Sequence, residues 1–354
     1  MEHDQHAGDV TWHRLFGVAL AVSLAFGGLT LLLAYAYDLP LRDPDGLFGP
    51  SYVRLPLIAL AMVGVDVVPR VLLRSRRGAG PVAAFVEVVQ ERWPLRRLTV
   101  IAAGLMTFYL SYVAYRNLKS FLPFLRDDLH DRALVASDRW FTAGSHPGDL
   151  LHDLLGTGIS ADVLSSVYMF FLFFVPFSLA AALVWSDDLS RGAWYVNALS
   201  FNWILGTASY YALPSLGPIY VEAFRFRDLP DTAVAALQTG LLSNRFDVLA
   251  DPHATQAVHG IAAFASLHTS IVFTAALVAQ LTGMPKLLRQ ALWVFFVLTG
   301  LATVYFGWHY VIDVVAGMVL GAAAVWLGAW TTGRLSRRRE PARDEELVPA
   351  AEVG

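Results

Sequence analysis

The chain contains no cysteine, which excludes disulfides, thiolate metal sites and cysteine nucleophiles. Charge is scarce: 16% of its 354 residues are Asp, Glu, Lys or Arg, against about a quarter in ordinary soluble domains. Neither sign dominates, the formal net charge being −3, so nucleic acid is excluded as a partner by the lack of any basic excess. No Gly-rich phosphate loop and no internal repeat is present. What remains is apolar, at 56% hydrophobic residues. Such a chain reads as an all-α polytopic membrane helix bundle, because a helix satisfies its own backbone polar groups in lipid.

Roughly eight apolar runs have the length needed to cross about 30 Å of hydrocarbon. They lie near 15–36, 53–73, 98–115, 163–185, 193–213, 261–281, 287–306 and 310–330. The second is interrupted by Arg54, Asp66 and Arg70, of which Asp66 and Arg70 are spaced to neutralise each other on a helix. The first is too long for a signal-peptide core and lacks a basic leading segment, so it reads as a retained helix. Basic clusters at Arg70–Arg77, Arg92–Arg97, Lys286–Arg289 and Arg334–Arg339 all fall on one side of an eight-span layout. The positive-inside rule makes that side cytoplasmic and puts both termini there. Segments 116–162 and 214–260 then form long outer loops, the first with an amphipathic stretch suited to the membrane interface. The tail beyond 334 is charged and expected to be disordered.

Chemistry concentrates in Ser266-Leu267-His268-Thr269 and in Gly307-Trp308-His309-Tyr310-Val311-Ile312-Asp313. Each opens an apolar run, so ionisable groups sit at membrane depth, where they are costly and mark function by default. If the second segment is helical, His309 and Asp313 share a face, and the carboxylate holds one imidazole nitrogen while the other is free to attack. His268, on a separate helix, is the complementary general acid. Both histidines would lie near helix N-termini, whose N–H groups attract phosphate. Ser266 fits either an N-cap or a phosphate contact. Lys119, Arg116, Arg126 and Arg245 are the outer-side cations able to hold a phosphate. His259, His268 and His309 show no local ligand spacing for zinc.

The Ser-Leu-His and His-Tyr-Val-Ile-Asp segments together resemble the type 2 phosphatidic acid phosphatase superfamily, and more closely its inositol phosphorylceramide synthase-like branch. The resemblance covers roughly residues 100–330 and implies a six-helix core with an outward-facing site and no required metal or other cofactor. It implies that His309 attacks phosphorus, Asp313 orients it and His268 protonates the leaving group. Three departures stand out. Ala265-Ser266-Leu267-His268 replaces the Pro-Ser-Gly-His of the phosphatase branch, Thr303 occupies the position of that branch's arginine, and Asp127 replaces the proline after a Lys119-to-Arg126 spacing.

The expected organisation is two N-terminal helices and a basic cytoplasmic loop over 1–97, a six-span catalytic core over 98–333 and a tail over 334–354. The expected activity is cleavage of a lipid-linked phosphate, on a phospholipid or polyprenyl-phosphate type lipid, through a phosphohistidine intermediate at the extracytoplasmic face of the plasma membrane. Water as acceptor makes the chain a phosphatase, and an alcohol makes it a phosphotransferase. A proton-coupled transporter using the same histidines, or a non-catalytic scaffold, are the alternatives.

Overall fold

The computed structural model describes residues 11–43, 45–46, 49–78 and 80–337. Helix α1 (Trp12–Ala36) is followed by a two-residue antiparallel bridge of β1 (Asp45–Gly46) with β2 (Gly49–Pro50). Then come α2 (Ser51–Arg76), α3 (Pro81–Arg92), α4 (Leu95–Leu125), α5 (Asp131–Phe141), α6 (Pro147–Leu155), α7 (Ile159–Val184) and α8 (Leu189–Ala212). The chain ends with α9 (Pro218–Val221), a 3-10 turn at Ala223–Arg225, α10 (Ala233–Ala250), α11 (Leu267–Leu281), α12 (Lys286–Tyr305), α13 (Val311–Thr331) and α14 (Arg334–Arg337). The tail expected to be disordered therefore begins with a helical turn, and residues 338–354 lie outside the described ones.

Every apolar run of the sequence contains a helix. Among the described residues, six helices are long and apolar enough to cross a membrane: α1, α2, α4, α7, α12 and α13. The run expected over 261–281 forms only 15 residues of helix, because 259–266 is not helical and α11 begins only after the Ser266 cap. Helix α8 has the length, but Asn197, Asn202 and several Ser and Thr residues dilute its apolar content. The amide N–H groups of both asparagines are bonded internally. Asn197 Nδ2 donates to Leu15 O at 2.8 Å, and Asn202 Nδ2 donates to Thr274 Oγ1 at 3.0 Å. Such bonds join helices where lipid gives no hydrophobic drive between them.

Helix α8 is the hub, packing against α1, α4, α7, α11 and α13, and its residues 192–203 are buried without a break. A helix buried all round needs neighbours on every side. Helix α13 reaches α11 through Gly317 and Gly321: a Cβ at the first would collide with Ser266 O and at the second would come within 2.8 Å of Ser270 O. This is the close approach that a small-residue stripe permits. Helix α1 lies along α4 and also touches α8 and α13, so it is built into the bundle.

The basic segments gather at one end. Arg92 pairs with Asp66 and Asp187, each at 3.4 Å, and Arg334 pairs with Asp188 at 2.7 Å. Asp66 also meets Arg70 at 3.2 Å, the neutralisation that their spacing predicts. The opposite end carries α5, α6, α9, α10 and the turns that lead into α11 and α13. The two segments expected as outer loops are thus largely helical, and α4 runs on to Leu125, carrying Arg116 and Lys119 inside a helix instead of a loop.

Candidate active site

Three backbone segments meet at that end. Turn 213–219 binds the 262–265 segment through Ala263 N to Ser215 O at 3.0 Å and Phe264 N to Ser215 Oγ at 3.0 Å. It binds the loop before α13 through Ile219 N to Gly307 O at 2.8 Å. Gly217 has φ of 105°, and a Cβ there would come within 2.5 Å of Trp308 O, so both conformation and space require glycine. Ser266 N donates to Asp313 O at 3.0 Å and closes the third side.

His268 and His309 face one another across this junction. His268 Nδ1 and His309 Nε2 are 3.3 Å apart, and His309 Nδ1 is 3.5 Å from Asp313 Oδ2. His309 is 4% exposed and Asp313 fully buried. Tyr310 N fills one side of the carboxylate, donating to Asp313 Oδ2 at 2.9 Å, while Asp313 Oδ1 has no hydrogen-bond partner among the described residues. His309 precedes the first residue of α13, so the pair is closed by the loop and not by a shared helix face. Tyr168 and Phe171 hold the His268 ring at centroid distances of 4.8 and 4.5 Å.

The cations divide into two groups. Lys119 is buried with its ammonium 4.9 Å from the Tyr210 ring centre and 5.8 Å from that of Tyr115. Arg245 Nη1 donates to His259 Nε2 at 3.1 Å. Burial, with Arg245, Lys119 and Arg116 around it, holds the His259 imidazole well below the usual histidine range. It is therefore a neutral acceptor that aims the guanidinium. Arg116 is half-buried on the same helix as Lys119, and its Nε has no partner. Among the described residues, none of these three cations has a carboxylate within ion-pair distance. Arg126 differs: it is tied to Asp128 at 2.7 and 2.8 Å and also donates to Tyr211 O.

Two expected phosphate contacts are already engaged. Ser266 Oγ caps α11, accepting from Thr269 N at 3.3 Å and meeting Thr269 Oγ1 at 3.0 Å. The N-terminus of α13 is filled by carboxylates and is not an open anion site, since Tyr310 N goes to Asp313 and Val311 N goes to Asp138 Oδ1 at 2.8 Å. Thr303, in the place of the family arginine, is buried and shapes the loop instead: its carbonyl accepts from Trp308 N at 2.9 Å and from His309 N at 3.3 Å.

Sequence reasoning misses two acids. On α5 the buried positions are Asp131, Leu134 and Asp138, one helical face on which two of three residues are carboxylates. Asp131 accepts from Leu216 N at 3.0 Å, Gly217 N at 2.9 Å and Tyr310 Oη at 2.8 Å. Only the spacing of these acids with Leu134 on an amphipathic helix hints at their burial.

A family model described as the PAP2 superfamily matches residues 132–327, a span that contains both histidine segments, Arg245 and nearly all of α5, but begins after α4. No curated protein sequence and no solved structure matches the chain.

Proposed function

Because this chain belongs to the PAP2 superfamily, we propose that it is an integral-membrane lipid phosphatase or phosphotransferase that works through a phosphohistidine on His309. The observation that carries the reading is the line Asp313, His309, His268, with Lys119 near His268 and three cations, Lys119, Arg116 and Arg245, gathered around His259 with no carboxylate at ion-pair distance among the described residues. Such partly buried positive charge favours an anion to balance it, and a phosphate ester meets that need.

Asp313 holds the Nδ1–H of His309, which leaves the Nε2 lone pair to attack phosphorus. The P–N bond forms as the P–O bond to the lipid breaks, and His268, as imidazolium, gives its Nδ1 proton to the departing oxygen. In the second half, water or an alcohol attacks phosphorus, His268 takes the proton and the P–N bond breaks, which restores His309. In-line transfer puts nucleophile and acid on opposite sides of phosphorus, so the direct contact between the rings opens when phosphate enters. Arg245, Lys119 and Arg116 neutralise the phosphoryl oxygens. Arg126, already held by Asp128, takes no part, and Ser266 acts by seating His268.

The Ser266-Leu267-His268 form supports transfer to a lipid or sugar hydroxyl over hydrolysis, as in the inositolphosphotransferase-like branch. The gathering of Arg92, Arg97 and Arg334 at the end away from His309 supports an extracytoplasmic site with cytoplasmic termini, since basic segments are retained inside. That placement is compatible with a plasma-membrane enzyme of the cell envelope acting on phospholipid or polyprenyl-phosphate lipids.

Purified protein incubated with labelled phospholipids and polyprenyl phosphates, in the presence of a chelator, tests the reading by product mass. A new phosphodiester identifies a transferase and inorganic phosphate a hydrolase, whereas no turnover of any lipid phosphate contradicts the proposal. In intact cells, Asp127→Cys should react with a membrane-impermeant thiol reagent and Arg77→Cys should not.

A further inference from the structure

Helix α5 belongs to none of the six long apolar helices, yet it reaches the backbone on both sides of the two catalytic histidines. Its two buried carboxylates lie two turns apart on one face. Asp131 fastens turn 215–217 and the Tyr310 hydroxyl, and Asp138, 1% exposed, takes Val311 N at 2.8 Å. Val311 is the first residue of α13 and lies two residues after His309. A helix N-terminus has unpaired N–H groups that need an acceptor, and here a major acceptor comes from a separate helix. Without it, the 307–311 segment loses its one backbone bond to α5 among the described residues and keeps only the Tyr310 side-chain bond to Asp131, and His309 is carried on that segment.

We propose that Asp138 is a positioning residue for the reaction: capping α13 from α5, it fixes the seat of the 307–313 segment and so the aim of His309 Nε2 at phosphorus. The effect falls on kcat, because a displaced nucleophile spoils attack while the cations that bind phosphate stay in place. A misplacement of about 1 Å costs on the order of 10²-fold in rate. The proposal rests on the role given to His309 above, so its test includes a readout that needs no turnover.

The experiment compares Asp138→Ala, Asp138→Asn and Asp138→Glu in the full-length protein, by steady-state kinetics and by hydrogen exchange of the peptide covering 307–313. Asp138→Ala should lower kcat about 10²-fold with KM within about two-fold, and amides at 311–312 should exchange faster. Asp138→Asn keeps an acceptor oxygen and should restore both kcat and protection. Asp138→Glu keeps the charge but moves the oxygen by one methylene, and should lower kcat without restoring protection. Unchanged kcat in Asp138→Ala, a defect confined to KM, or an Asn variant as impaired as the Ala variant would each overturn the proposal. Should Asp138→Ala fail to fold, the contrast between Asn and Glu decides. If even the unaltered protein turns over no lipid phosphate, the reading of His309 fails, and unchanged exchange in the folded variants then refutes the capping role as well.

Discussion

His309 stands between an acid and a second histidine, with Asp313 Oδ2 3.5 Å from its Nδ1 and His268 Nδ1 3.3 Å from its Nε2. In the proposed mechanism the two ring nitrogens do different work: Asp313 orients Nδ1, and Nε2 is presented to phosphorus.

Replacing Asp313 by Asn removes the charge that holds Nδ1–H and stabilises the phosphohistidine, but leaves every phosphate contact in place. We expect kcat to fall on the order of 10⁴-fold with little change in KM, as when a triad carboxylate is neutralised. Steady-state kinetics on the lipid identified by product analysis decides this, and a defect confined to KM would count against the orientation role.

Arg245 is aimed by a neutral histidine, so the two should fail together. A lost charge-assisted contact is worth about 1.5–3 kcal/mol, and Arg245→Ala should reduce kcat/KM by roughly 10- to 100-fold. His259→Leu, which removes the acceptor on Nε2, should show a weaker defect in the same parameter, and His259→Gln should recover part of it. Normal kinetics in His259→Leu beside an inactive Arg245→Ala would separate the two residues.

Asp138 also carries a pH signature. Burial, with Asp313 on α13 and Glu222 after α9 nearby, pushes its carboxyl up to about 7, against the opposing pull of Val311 N–H. On its own helix, Asp131 accepts neutral N–H and O–H groups, and the cation Arg139 is turned to Glu222 at 3.4 Å. A carboxyl whose folded pKa exceeds its unfolded value of about 3.9 favours the fold when protonated. That contribution is fully present below about pH 4 and is lost as pH rises through about 7. The Tm of Asp138→Asn should therefore gain on that of the unaltered protein as pH is raised from about 4.5 to 7.5. Thermal unfolding in detergent checks this, and a Tm difference independent of pH would contradict it.

The helices and the juxtaposition of His268, His309 and Asp313 were legible for physical reasons that do not extend to the rest of the site. Apolar run length marks a helix whatever its neighbours, and the spacing of His309 and Asp313 keeps them together even though α13 begins after His309. The continuation of α4 past residue 115 was not legible, because Arg116, Asn117 and Lys119 end the apolar run. Their burial depends on distant partners: Asn117 exchanges bonds with the Arg42 backbone at 2.8 Å in both directions, and Lys119 lies on Tyr210. Arg126 kept the family's spacing from Lys119, but Asp128, two residues on, captures it. The acids of α5 were hidden because an Asp in a polar stretch reads as solvated until the 213–217 and 307–313 turns are brought against it.

The central claim is a covalent phosphoryl group on His309, and its capture under basic conditions is the direct measurement. Protein mixed with a phosphoryl-labelled lipid substrate, quenched in base to preserve phosphoramidates and analysed by peptide mass, should carry one phosphate on the peptide containing His309. The label should vanish in His309→Gln and build up in His268→Asn if His268 also serves as base in the second step. Label on a different residue, or full turnover by His309→Gln, would contradict the account.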